Sequence, residues 1–101
     1  MAIVEVTITP LGTATTSVSH YVAEVHKVLE KENLKYQLTP MSTIIEGDLD
    51  DILAVVRKMH EVPFERGALR VSTSIRIDDR RDKKASMEQK LKSVRAKLIK
   101  E

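Results

Sequence analysis

Leu69-Arg70-Val71-Ser72-Thr73-Ser74-Ile75-Arg76-Ile77 alternates without a break. Leu69, Val71, Thr73, Ile75 and Ile77 fall on one face, and Arg70, Ser72, Ser74 and Arg76 on the other. Period two with β-branched residues on the apolar side predicts a strand packed on one face and wet on the other. Just upstream, Leu49, Ile52, Leu53, Val56 and Met59 recur at helical spacing, with Asp48 placed to cap that helix. Pro63 and Gly67 mark the connection between helix and strand. The stretch is therefore the closing strand of a helix–strand unit, and the fold turns on whether the same unit occurs earlier.

It does. Ala2 to Thr9 alternates, with Ala2, Val4, Val6 and Ile8 sharing a face, and Pro10 and Gly12 end it. The hydroxyl-rich run Thr13 to Ser17 suits a helix cap. Val18, Tyr21, Val22, Val25, Val28 and Leu29 then give a helical stripe, with Asn33 as a left-handed C-cap. Leu34, Tyr36 and Leu38 alternate with polar residues, Thr39-Pro40-Met41-Ser42 reads as a turn, and Thr43-Ile44-Ile45-Glu46 is a short strand stopped by Gly47. Beyond a charged loop over 78–84, Ser86 and Gln89 form a capping-box pattern. The helix that follows carries a narrow stripe of Met87, Leu91, Val94 and Leu98.

The order is strand, helix, strand, strand, helix, strand, helix. It predicts one α+β domain over 1–101: a ferredoxin-like βαββαβ sandwich with an additional C-terminal helix. The first and third strands are expected as parallel neighbours at the sheet centre. That arrangement would bring Thr13, Thr15, Thr16, Ser17 and Ser19 up to Glu46, Gly47 and Asp48. Helix capping by Ser17 and Asp48 explains part of that cluster, and a ligand site would explain the rest.

Composition narrows the function. The chain has no cysteine, which removes disulfides, thiolate metal sites and a cysteine nucleophile. No apolar run approaches the ~18 residues of a membrane span, and the start lacks the pattern of a signal peptide. The cytoplasm is the expected location. A chain of 101 residues gains core by self-association. Residues 1–50 carry three basic and seven acidic side chains, and residues 51–101 carry fourteen and eight. The basic second half reads first as a solvated helix face with subunit ion pairs, and second as an anion or nucleic-acid surface.

Chemistry motifs are sparse. His20 and His26 are six apart, which does not stack them on one helical face, and His60 lies on another helix. No metal site, cofactor site or catalytic set is expected. RNA-binding sheets stack bases on aromatics, but this chain has only Tyr21, Tyr36 and Phe64, and parity turns Tyr36 toward the helices. The other sheet face, with Glu5, Thr7, Thr9, Gln37, Arg70 and Arg76, is polar. It reads equally as wet or as a subunit interface.

Three segments in register resemble a known family. They are Pro10-Leu11-Gly12-Thr13 with Ser17, Ser19 and Tyr21-Val22; Tyr36 to Gly47; and Gly67 to Arg80. Together they look like the small thiamine-binding proteins related to the YkoF-type domains. The resemblance runs nearly end to end. It implies a ferredoxin-like fold, a homo-oligomer (often a dimer of dimers, hence a tetramer), no known catalysis, and binding of thiamine or its hydroxymethylpyrimidine part. It also implies pocket roles for Ser17, Ser19, Thr43, Ile44 and Glu46, and more weakly for Thr13 and Arg70. Glu46 would be the anionic acceptor for an aminopyrimidine, with hydroxyls orienting it. Met41 and Ile44 would serve as an apolar wall or as core. Arg70 and Arg76 would need a balancing acid such as Glu5. Two other classes stay open: a structural or regulatory oligomer without this ligand, and an RNA- or anion-binding domain using the basic last helix.

Overall fold

The computed structural model describes residues 1–12, 19–82 and 87–99, with the side chains of 19–21, 87 and 99 outside the description. Four strands, β1 (Ala2–Leu11), β2 (Lys35–Leu38), β3 (Thr43–Gly47) and β4 (Arg70–Asp79), form one sheet in the order β2-β3-β1-β4. Helices α1 (Ser19–Lys31) and α2 (Leu49–Glu65) are the two crossovers, and α3 (Met87–Ile99) follows β4. This is the expected ferredoxin-like α+β fold with its extra helix.

One part of the expected topology is corrected. β1 and β3 are central neighbours, but they run antiparallel, with Ala2 opposite Gly47 and Val6 opposite Thr43. The reason is connectivity. A crossover helix returns the chain so that β2 runs with β1, and the hairpin at 39–42 then reverses β3. The C-terminal ends of β1 and β3 therefore lie at opposite ends of the sheet.

Parity sets the core. Val4, Val6 and Ile45 face the helices and are fully buried against Leu29 of α1 and Ile52 and Met59 of α2. Each such side chain contributes roughly 1.5–3 kcal/mol by leaving water. Tyr36 points the same way, as expected, and meets the His26 ring edge-on at 5.4 Å. Asp48 caps α2, its Oδ1 accepting from the Asp50 N–H at 2.9 Å.

Three local expectations change. Asn33 is not left-handed, because among the described residues only glycines have positive φ. Instead α1 closes with the Glu32 N–H on the Leu29 carbonyl at 3.1 Å. Pro63 is not a connector but lies inside α2, buried in its last turn. A proline there forfeits one intrahelical bond, and apolar burial offsets the loss. On α2, Val55 is buried where Leu53 was expected, because the helix turns the Ile52, Val55, Val56, Met59 and Val62 stripe inward. The capping-box residue Ser86 lies outside the described residues.

Coverage of the sheet is uneven. β4 is an edge strand, and its inward-facing Ile75 and Ile77 are still 44% and 45% exposed. α3 touches the sheet through its first turn, where Glu88 pairs with Lys35 and Lys90 with Asp78. Its Leu91, Val94 and Leu98 stay exposed.

Candidate functional site

β1 is longer than its partner on one side. It pairs with β4 along its whole length, from Ala2 opposite Asp79 to Leu11 opposite Arg70. With β3 it pairs only from Ala2 to Val6. From Thr7 onward the β3-side edge of β1 has no strand beside it among the described residues, and its backbone donors and acceptors on that side are outside the ladder that β1 and β3 form.

A cavity of about 310 Å³ occupies that gap. Its floor is the exposed edge of β1, from Val6 to Thr9, and its side is the 38–43 hairpin. Val22 and Val25 of α1 and Met59 and Pro63 of α2 close the apolar end. Because the cavity wraps the strand edge, it takes residues of both parities. Thr7 and Thr9 come from the polar face, and Thr43 comes from the core face.

The hairpin wall is rigidly built. Thr39 Oγ1 donates to the Ser42 carbonyl at 2.9 Å and accepts from the N–H groups of Ser42 at 3.0 Å and Met41 at 3.3 Å. The Thr39 N–H also donates to the Ser42 carbonyl. This side-chain turn holds Met41 over the cavity and aims Ser42 at β1, where its Oγ donates to Glu5 Oε2 at 3.1 Å. Glu5 stands directly across from Arg76 in the β1–β4 register.

The residues expected at a site separate in space. Thr43 lines the cavity, as does Met41. Ile44 is half-buried on the polar face, opposite Glu5. Glu46 faces Ile3 and Lys35 at the far end of the sheet. Arg70 is exposed at the start of β4, opposite Leu11. Thr13 and Ser17 lie outside the described residues, and of Ser19 only the backbone, at the start of α1, is described. The expected meeting of the 13–19 hydroxyls with Glu46 and Asp48 rested on parallel strands, and those hydroxyls lie outside the described residues. The antiparallel register sends the end of β1 and the end of β3 to opposite edges.

Glu46 nevertheless has an unusual setting. It is 5% exposed, its Oε2 has no hydrogen-bond partner among the described residues, and the Lys35 ammonium lies 3.7 Å away. Lys35 also meets Glu88, and this pairing raises the lysine's pKa while lowering that of Glu88. The group is an ion-pair relay between the sheet and α3.

Thr7, Thr9, Ser42 and Val22 line the cavity without having been singled out as pocket residues. The signal lay in strand lengths. A β1 that outlasts Thr43–Gly47, once set antiparallel to it, must leave an unpaired edge. Among the described residues no cluster of histidine and carboxylate side chains is placed to hold a metal, and no helix is long and apolar enough to cross a membrane.

Comparison with known proteins agrees with this architecture. The family model described as thiamine-binding protein matches residues 4–95. The UPF0045 protein YqgV of Bacillus subtilis is 57% identical, over 97% of this chain and 98% of its own. A UPF0045 protein of Staphylococcus xylosus is 52% identical, over 93% and 92%. The crystal structure of hypothetical protein MJ1052 from Methanocaldococcus jannaschii superposes with a TM-score of 0.83 at 40% identity, covering 92% of this chain and 94% of that one. The chain therefore belongs to the thiamine-binding protein family.

Proposed function

We propose that the protein binds thiamine, or its hydroxymethylpyrimidine part, without transforming it, in the cavity beside the unpaired edge of β1. The carrying observation is the pairing of an apolar slot with hydroxyls and a free strand edge in about 310 Å³, the small end of the usual range for ligand sites. Met41 and the Val25–Met59 end offer two apolar surfaces for a flat ring. An aminopyrimidine presents a donor beside an acceptor, and Thr43, Thr7 and the β1 backbone can answer both. The thiazolium half is cationic. Glu5, held through Ser42 at the rim, supplies the complementary charge.

The described lining is hydroxyl and apolar, which suits recognition rather than proton transfer. It also favours the unphosphorylated ligand, since a diphosphate would call for cationic partners. The proposed setting is a cytoplasmic homo-oligomer, a tetramer being the assembly the family resemblance implies.

The test is calorimetric titration of wild type with thiamine and with hydroxymethylpyrimidine, beside Val22→Trp. Val22 is a solvent-facing part of the wall, so the larger ring fills the slot while the fold is kept. Saturable binding by wild type that is lost in Val22→Trp supports the site. Equal binding by both proteins moves the site elsewhere. No binding by wild type at millimolar ligand leaves a structural oligomer as the better reading.

A further inference from the structure

Met41 and Met59 both line the cavity, and their settings are opposite. Met59 of α2 closes the apolar end and is 1% exposed. Met41 stands on the hairpin wall and is 83% exposed. The turn does not require a methionine there. Its bonds run from the Thr39 hydroxyl to the Ser42 carbonyl and hydroxyl and to the N–H groups of Met41 and Ser42, and the Met41 side chain takes part in none of them. Its sulfur is therefore open to chemistry that leaves the turn intact.

The chemistry open to an exposed thioether is oxidation, and its site selectivity follows access to the sulfur. Hydrogen peroxide is a sufficient oxidant. A lone pair of Sδ attacks one peroxide oxygen, and the S–O bond forms as the O–O bond breaks. The departing hydroxide takes the proton of the transferred hydroxyl and leaves as water. Sulfur loses two electrons and peroxide gains them. The chain has no cysteine, so no thiol of its own competes for the oxidant. Met59 is shielded from the same reaction by its burial.

Oxidation reverses what Met41 offers the cavity. A thioether is apolar and polarisable, and it packs favourably against an aromatic ring. A sulfoxide is polar and chiral, and it is best satisfied in water. The oxidised hairpin wall would keep its place but no longer present an apolar surface. We propose that Met41 is a reversible oxidation site that gates the cavity, holding a flat ring as the thioether and releasing it as the sulfoxide. The gate rests on the reading of this cavity as the thiamine site. Return to the thioether falls to the enzymes that reduce methionine sulfoxide, and the exposure of Met41 gives them access.

The test uses wild type and Met41→Leu, each treated with dilute hydrogen peroxide. Peptide mass spectrometry reads which methionines gain oxygen. Calorimetry reads thiamine affinity before treatment, after it, and after incubation with methionine sulfoxide reductase. Met41 should gain one oxygen while Met59 stays reduced. Wild-type affinity should fall about tenfold on treatment and return on reduction. Met41→Leu should start about threefold weaker, for want of the sulfur–ring contact, and treatment should not change it. Circular dichroism of treated wild type should match the untreated protein. Met41 that stays reduced while Met1 is oxidised overturns the gate, and so does oxidised wild type that keeps its full affinity. An equal loss in Met41→Leu overturns it too, by tracing the effect to another methionine. Untreated wild type that does not bind thiamine overturns the reading of the cavity, and the gate with it.

Discussion

Thr43 stands opposite Val6 on the last rung that β3 shares with β1, and its side chain is the point where the ladder gives way to the cavity. One position further along β1 the strand continues with β4 as its only strand partner among the described residues. Thr43 is 8% exposed, so a bond its hydroxyl makes to a ligand competes little with water. Thr43→Val keeps the shape and removes the hydroxyl. It should weaken thiamine binding by about 1 kcal/mol, or roughly fivefold, with little change in melting temperature. Calorimetry on the folded variant checks this, and unchanged affinity would remove Thr43 from the site.

Thr39 plays a different part, because its hydroxyl is committed to the turn that carries Met41 and Ser42. Thr39→Ala removes one donor and the acceptor of two N–H groups together. The expected cost is about 1–2 kcal/mol in stability. Ligand affinity should fall as well, through loss of position rather than loss of contact. Thr39→Ser, which keeps the oxygen, should recover both. If Thr39→Ala binds as tightly as wild type, the turn does not hold the wall.

These two threonines show what could be read in advance. The element order and the inward parity of Val4, Val6, Ile45 and Tyr36 followed from alternation and helical spacing, because burial on one face leaves a periodic trace. The direction of β3 relative to β1 left no such trace, and a wrong direction moved Glu46 from the far end of the sheet to the mouth of the 13–19 segment. Pro63 was misread for a related reason. Its local preference against helix interiors is real, but packing against the core outweighs it within the last turn. The cavity itself belongs to no motif. It arises from a mismatch between two strand lengths, which becomes visible only when the register is known.

Glu46 should matter to stability rather than to binding. A buried carboxylate with one unpartnered oxygen depends on the nearby Lys35 for compensation. Lys35→Met strands that charge and should lower the melting temperature. Glu46→Met removes the charge together with its desolvation, and should be neutral or stabilising by about 1 kcal/mol. In the double variant the effect of Lys35→Met should largely vanish. Thermal melts of the four proteins form the cycle that measures this coupling. Thiamine affinity should be the same in Glu46→Met as in wild type, and a large loss would return Glu46 to the ligand site.

The attachment of α3 should depend on pH at both extremes. Glu88 is held below its ordinary 4.5, first by its hydrogen bond to Lys35, and Lys35 is raised above its ordinary 10.5, first by the same bond. A lowered carboxyl contributes stability that is present above 4.5 and is lost as pH falls through the lowered value. A raised lysine contributes stability that is complete below 10.5 and is lost as pH rises through the raised value. The clip is therefore intact across the neutral range and released only below 4.5 or above 10.5. Both partners are exposed, so the effect is local rather than global, and added salt should weaken it. Hydrogen exchange of the α3 amides at pH 7 should be faster in Glu88→Gln than in wild type, while exchange in the β1–β3 ladder stays the same. Adding Lys90→Gln, which breaks the second tie to Asp78, should speed α3 further. If α3 exchanges at the wild-type rate in both variants, the two ion pairs do not hold it. Burial of Leu91, Val94 and Leu98 against another chain would then be the better account of its attachment.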